Sequence, residues 1–231
     1  MTDIRTGVTE KMITDFLGAF PNEFLSLNDK ERMISAQIYR LLTESKPVSI
    51  GKVAATLDMP DSEVEPVIKS WPGVFYDKTG SIIGYWGLAL SQFGDHRFNV
   101  NGHTLYAWCA WDSLFIPQII QRTAVVTSKD AATGRPIRLT VTPENGIAEV
   151  DPESTVISFM MPPNVEEIRA DVVTSFCHYL HFFSSSDSAR EWISKSEKKD
   201  EMLILSPEEA NDIGLRKNRL QYRELLKPLE V

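Results

Sequence analysis

The spacing of apolar residues changes part-way along the chain, and that change limits the folds open to it. "DKERMISAQIYRLLTES" places Met33, Ile34, Ile38, Leu41 and Leu42 at helical spacing. "KPVSIGKVAATLDM" opens a second helix after Pro47 with Ser49 as N-cap, and "PDSEVEPVIKSW" starts a third at Pro60-Asp61-Ser62. "GVFYDKTGSIIGYWGLAL" then supplies two strand-like runs around a Lys-Thr-Gly turn. Past residue 91 short alternating or β-branched runs take over. Asn101-Gly102 in "HRFNVNGHTLYAW" is a strong hairpin signal, and "RTAVVTSKDAATGRPIRLTVTP" holds two strands around a Thr-Gly turn. "STVISFMMPP" and "VVTSFCHYLHFFSS" extend the strand set, while "CAWDSLFIPQII", "DSAREWISKS" and "PEEANDIGLRKNRLQYRELL" are expected helices.

The expected fold is therefore α+β: an N-terminal winged-helix-like helical domain over residues 1–91, then a mostly antiparallel sheet domain with packed helices over 92–231. A winged helix suggests DNA, but the third helix carries Asp61, Glu63 and Glu65 against Lys69, and the chain has net charge −8. Phosphates would be repelled, so no nucleic acid is expected as partner. The start shows no secretory signal and no run is long enough to span a bilayer, so a cytoplasmic protein without a membrane partner is expected. Thiols stay reduced there, and Cys109 and Cys177 are expected to be free.

Motifs for phosphate loops, dinucleotides, serine hydrolases and zincins are absent. What remains is "LYAWCAWDSLFIPQII", in which Cys109 stands between Trp108 and Trp111, with Asp112 three residues on. If that segment is helical, thiol and carboxylate share a face. Buried cysteine is often plain core, but a carboxylate in such apolar company must be paired, hydrogen-bonded or neutral. An extended "FCHYLHF" would put Cys177, Tyr179, His181 and Phe183 on one face. Two alternatives stay open at this point: zinc held by Cys109, Cys177 and His178 or His181, and a thiol nucleophile pairing Cys109 with His103, His178 or His181.

"LYAWCAWDSLFIP", "IQRTAVVTSKDAATGRPIRLTVTP" and "SFCHYLHFFSS" resemble the alkylmercury (organomercurial) lyases of bacterial mercury resistance. "KPVSIGKVAATLDMP" and "YDKTGSIIGYWGLAL" resemble the amino-terminal winged-helix region of that family. The resemblance implies a triad of Cys109, Asp112 and Cys177 that cleaves the carbon–mercury bond of an organomercurial by protonolysis, giving a hydrocarbon and Hg(II). It implies that the three residues hold mercury as substrate and product; the working expectation has Cys109 attacking first and Asp112 shuttling the proton, an order of attack that the sequence itself leaves open. No cofactor is implied, but free thiol is needed for turnover. The implied partners are small cytosolic thiols and a mercuric reductase as Hg(II) acceptor. Tyr106, Trp108, Trp111 and Phe176 are candidate pocket residues. One departure is Asp130, where many family members carry an additional cysteine that the resemblance implies is auxiliary or structural. The rival reading is a winged-helix thiol-based metal or organometal sensor.

Overall fold

The computed structural model describes residues 4–19, 27–161 and 165–226. The last two residues of "STVISFMMPP" lie outside them.

Helix α1 (Glu10–Ala19) is followed by α2 (Asp29–Leu42), α3 (Ile50–Thr56) and α4 (Asp61–Ser70). Their starts follow from capping chemistry. Asn28 and Glu31 close a capping box on α2, and Ser49 accepts from the backbone N–H of Lys52 at α3. The hairpin β1 (Val74–Tyr76) and β2 (Ile82–Tyr85) comes next, its turn pinned by Asp77, which accepts from the N–H groups of Thr79 and Ser81.

β1 and β2 open an eight-stranded sheet. β3 (Leu88–Ala89), β4 (His96–Val100), β5 (His103–Ala107), β6 (Ala124–Lys129), β7 (Pro136–Thr142) and β8 (Gly146–Asp151) complete it in the order β1-β2-β3-β5-β4-β6-β7-β8. Every pairing in it is antiparallel. Asn101 and Gly102 both take positive φ in the β4–β5 turn, as a two-residue hairpin of this type requires. Continuity across residue 91 comes from β3, which pairs Leu88 with Ala107 and Ala89 with Tyr106. A second antiparallel sheet has the order β10-β9-β11, from β9 (Val156–Met160), β10 (Phe182–Phe183) and β11 (Met202–Leu205).

Helix α5 (Asp112–Ile120) is buried over nearly its whole length, packed between β7 and β8 on one side and α2 and α8 (Pro207–Tyr222) on the other. Apart from Asp112, Ser113 and Gln118 its residues are apolar, as suits a helix enclosed on nearly every face. α8 starts at Ser206 with a capping box to Glu209 and Pro207 at its first turn. α7 (Ser186–Ser194) covers the three-stranded sheet.

The expected strand over "VVTSFCHYLHFFSS" is corrected. Val172 to Ser175 belong to α6 (Val165–Ser175), Cys177–Tyr179 form a 3-10 turn, and only Phe182 and Phe183 are extended. Asp171 explains it. Its backbone is non-helical at φ −160° and ψ 94°, and its Oδ1 accepts from the N–H groups of Val173 and Thr174, so it starts a new helical turn. A short apolar run does not reveal its period, and here a cap decided it. Among the described residues no helix is long and apolar enough to cross a membrane.

Candidate active site

The chain leaves β5 at Ala107, passes through Trp108 to Trp111 in a tight turn, and enters α5 at Asp112. Cys109 therefore lies in the turn ahead of the helix rather than on it. The approach of thiol and carboxylate survives because the turn is tight: Ser113 Oγ donates to Ala110 O, and Asp112 Oδ2 accepts the Cys109 backbone N–H at 3.1 Å. The same Oδ2 is 3.1 Å from Cys109 Sγ and 3.9 Å from Cys177 Sγ.

Backbone hydrogen bonds bring Cys177 across the 68-residue gap. Ala110 N–H donates to Leu180 O, and Leu180 N–H closes the 3-10 turn onto Cys177 O. The Ser158 hydroxyl donates to Tyr179 O and fixes that turn against β9. Candidate ligand atoms of Cys109, Asp112 and Cys177 all lie within 4.8 Å of one another, and among the described residues no histidine joins them. His103 is exposed at the start of β5, His178 is exposed, and the half-buried His181 ring is bonded to His178 O.

Burial sets the protonation states. It pushes the Cys109 thiol well above the ordinary thiol range, helped by its bond to Cys177 and by the negative charge of Asp112. At Cys177 the hydrogen bond from Cys109 favours the thiolate, but burial and Asp112 outweigh it, and its thiol is raised too. Burial also raises the Asp112 carboxyl to about 6, against the opposing pull of Cys109 and Lys217. The arrangement holds two protonated thiols on one carboxylate oxygen that is itself able to carry a proton near neutral pH.

The candidate pocket residues separate into two groups. The Trp111 ring contacts Phe16, Phe115, Phe159 and Phe176, and its Nε1–H donates to Ala210 O, so it faces the core. Phe176, directly before Cys177, belongs to that cluster. Trp108 stacks instead with the half-exposed Phe75 and Phe93, and its buried Nε1–H finds no acceptor among the described residues. Tyr106 is half-buried in β5.

Asp130 is buried and saturated with donors. It accepts from the N–H groups of Ala132, Thr133 and Ser184 and from the hydroxyls of Ser184 and Ser188. Burial works to raise its carboxyl, but these bonds together hold it well below the ordinary range. Its work is to tie the β6–β7 turn to the start of α7.

Two residues near the triad gave no sequence signal. Lys217 on α8 is buried, its Nζ 4.0 Å from the Phe115 ring centroid and 3.1 Å from Gln221 Oε1. Burial pulls its amine down to about 7, while attraction to Asp112 works the other way. Gly87, in the turn between β2 and β3, abuts the Asp112 side chain. A helical lysine reads as solvated and a glycine reads as a turn, so only tertiary structure exposes either.

Comparison with known proteins gives the family from two directions and the fold from a third. A family model described as alkylmercury lyase matches residues 93–217. The chain is 36% identical to the alkylmercury lyase of Staphylococcus epidermidis, 40% to that of Pseudomonas putida and 37% to that of Bacillus cereus. Each match runs over 177 residues and covers 77% of both chains. Among solved structures, the mercury-bound form of MerB2 superposes with a TM-score of 0.69 at 22% identity, covering 94% of this chain and 100% of that one, a likeness of fold. The chain belongs to the alkylmercury lyase family.

Proposed function

We propose that this protein is an organomercurial lyase that breaks the carbon–mercury bond of alkyl- and arylmercury compounds by protonation of the carbon. The observation that carries the reading is the single oxygen, Asp112 Oδ2, within reach of both thiols. Mercury is a soft cation and thiolates are its natural protein ligands. An incoming R–Hg–X exchanges X for a cysteine sulfur, and the displaced thiol proton passes by way of Asp112 to X or to solvent. The second sulfur then binds, and its proton travels through Asp112 to the carbon. R–H leaves, and Hg(II) stays between two thiolates. Two thiol protons are lost; one ends on the hydrocarbon and one on the leaving ligand or in water.

Cys177 is the better candidate for first contact, in place of the expected Cys109. It is 7% exposed against 0% for Cys109, and the hydrogen bond from Cys109 favours its thiolate. Cys109, beside Asp112, then completes the site. Hg(II) leaves by ligand exchange to free thiols, either small cytosolic ones or the cysteines of a mercuric reductase, and a reducing cytoplasm suits a site that needs both sulfurs free.

The three helices α2–α4 with the β1–β2 hairpin fit a winged helix. Its acidic third helix, with Glu63 and Glu65 paired to Lys30 and Lys69, offers phosphate nothing and does not favour a DNA-bound sensor. The test is incubation with phenylmercury or methylmercury and excess thiol, with benzene or methane measured in the headspace. Absence of hydrocarbon from the wild type would sink the lyase reading.

A further inference from the structure

Asp112 needs a wall behind it. A carboxylate that must keep one oxygen on two sulfurs can rotate or retreat unless something fills the space on its far side. The filling here is backbone, at Gly87. A Cβ built on Gly87 would stand 2.5 Å from Asp112 Cγ, 2.6 Å from its Oδ1 and 2.9 Å from its Cβ. Real Cβ atoms do not approach so closely, so only glycine allows this contact.

The turn that carries Gly87 is fixed at both ends. Tyr39 OH of α2 donates to Trp86 O at 2.6 Å, and Trp108 N–H donates to Gly87 O at 2.9 Å. Gly87 itself has φ +97°. The turn therefore cannot withdraw to make room, and the Asp112 main chain, fixed at the head of the buried α5, cannot withdraw either, so only the carboxylate itself can turn aside. Oδ1 faces Gly87 while Oδ2 faces Cys109 and Cys177.

We propose that Gly87 is a positioning residue for the carbon–mercury cleavage: its bare backbone braces the Asp112 carboxylate so that Oδ2 stays on the two thiols. The proposal rests on the lyase reading above. It also gives the segment before residue 91 a part in the chemistry, since Gly87 lies outside residues 93–217 matched by the family model. A methyl group at this position displaces the proton carrier but leaves both sulfurs in place, so capture of mercury and cleavage of the bond separate.

The experiment compares Gly87→Ala with Gly80→Ala, which has a similar φ of +81° but nothing within 4 Å of an added Cβ. Gly80→Ala carries the backbone strain without the contact. Expected for Gly87→Ala is hydrocarbon release from phenylmercury slowed about tenfold or more, with one Hg(II) per chain still retained after gel filtration, and Gly80→Ala at the wild-type rate. Gly87→Ala cleaving within about twofold of wild type, or losing retention and cleavage in equal proportion while folded, overturns the proposal. Should Gly87→Ala not fold, the double variant Gly87→Ala/Asp112→Ala decides. Recovery of folding on removal of the carboxylate supports the contact, and no recovery overturns it. A wild type that releases no hydrocarbon counts against the lyase reading, not against the contact.

Discussion

Cys109 offers Asp112 two donors at once: its backbone N–H and its thiol each lie 3.1 Å from the same oxygen, Oδ2. The backbone bond fixes the oxygen whether or not the thiol is protonated. Proton acceptance therefore depends on the charge of Asp112, whose carboxyl is raised to about 6 by burial. Because the acceptor is the ionised form, hydrocarbon release should rise with pH through about 6 and level off above it. A rate profile that stays flat from about pH 5 to about pH 7.5 would contradict this.

Lys217 draws the Asp112 carboxyl downwards by attraction, so Lys217→Met should move the acid limb of that profile to higher pH. Its effect on stability has the opposite flavour. The folded protein holds the amine near 7, below its ordinary 10.5, so unfolded chains bind the extra proton across that window and stability rises with pH through it. Lys217→Met should raise the melting temperature at neutral pH and flatten that rise, which thermal melts between about pH 7 and about pH 10 will check.

The order of sulfur attack can be separated by single substitutions. Cys109→Ser keeps the more accessible thiol and should still form a one-to-one methylmercury adduct by mass spectrometry, without releasing methane. Cys177→Ser should form that adduct far more slowly, by about tenfold or more, because the remaining thiol is fully shielded. Equal adduct rates in the two variants would remove the distinction.

Trp111 lies in an aromatic cluster with Phe16, Phe115, Phe159 and Phe176, so its bulk serves packing. Trp111→Phe should cost about 2–4 kcal/mol in chemical denaturation through lost volume and an orphaned Ala210 carbonyl. The ratio of phenylmercury to methylmercury turnover per folded molecule should stay as it is in the wild type. A changed ratio would put the ring in contact with substrate.

Asp130→Ala leaves five donors without their acceptor and should destabilise the fold by about 3 kcal/mol or more. The folded carboxyl is depressed, so its contribution is present above the ordinary carboxylate range and is lost as pH falls below it. The gap between wild type and variant in melting temperature should therefore be wide at pH 7 and narrow in acid.

Much of this was legible in the residues, for reasons that differ from place to place. Ser49 and Asn101-Gly102 announce local geometry, and the structure has the cap and the hairpin where they stand. The antiparallel sheet with packed helices follows from alternation and turn spacing. Cys109, Asp112 and Cys177 stood out as soft or charged groups in apolar runs. The state of "FCHYLHF" was hidden, because Asp171, five residues before the run, caps a helical turn there while the run itself suits either period. Gly87 and Lys217 were hidden for another reason: their roles exist only through contacts with α5, to which no spacing in the sequence points.

Both cysteines of this chain are free and buried at one place, beside Asp112. A soft cation thus meets one thiolate address and no decoy. On the proposed mechanism the first equivalent of mercury should go to this pair, so a simple titration would count sites, and a second equivalent would have nowhere of comparable strength to go. On that reading every ion the protein captures would leave by the one site that took it.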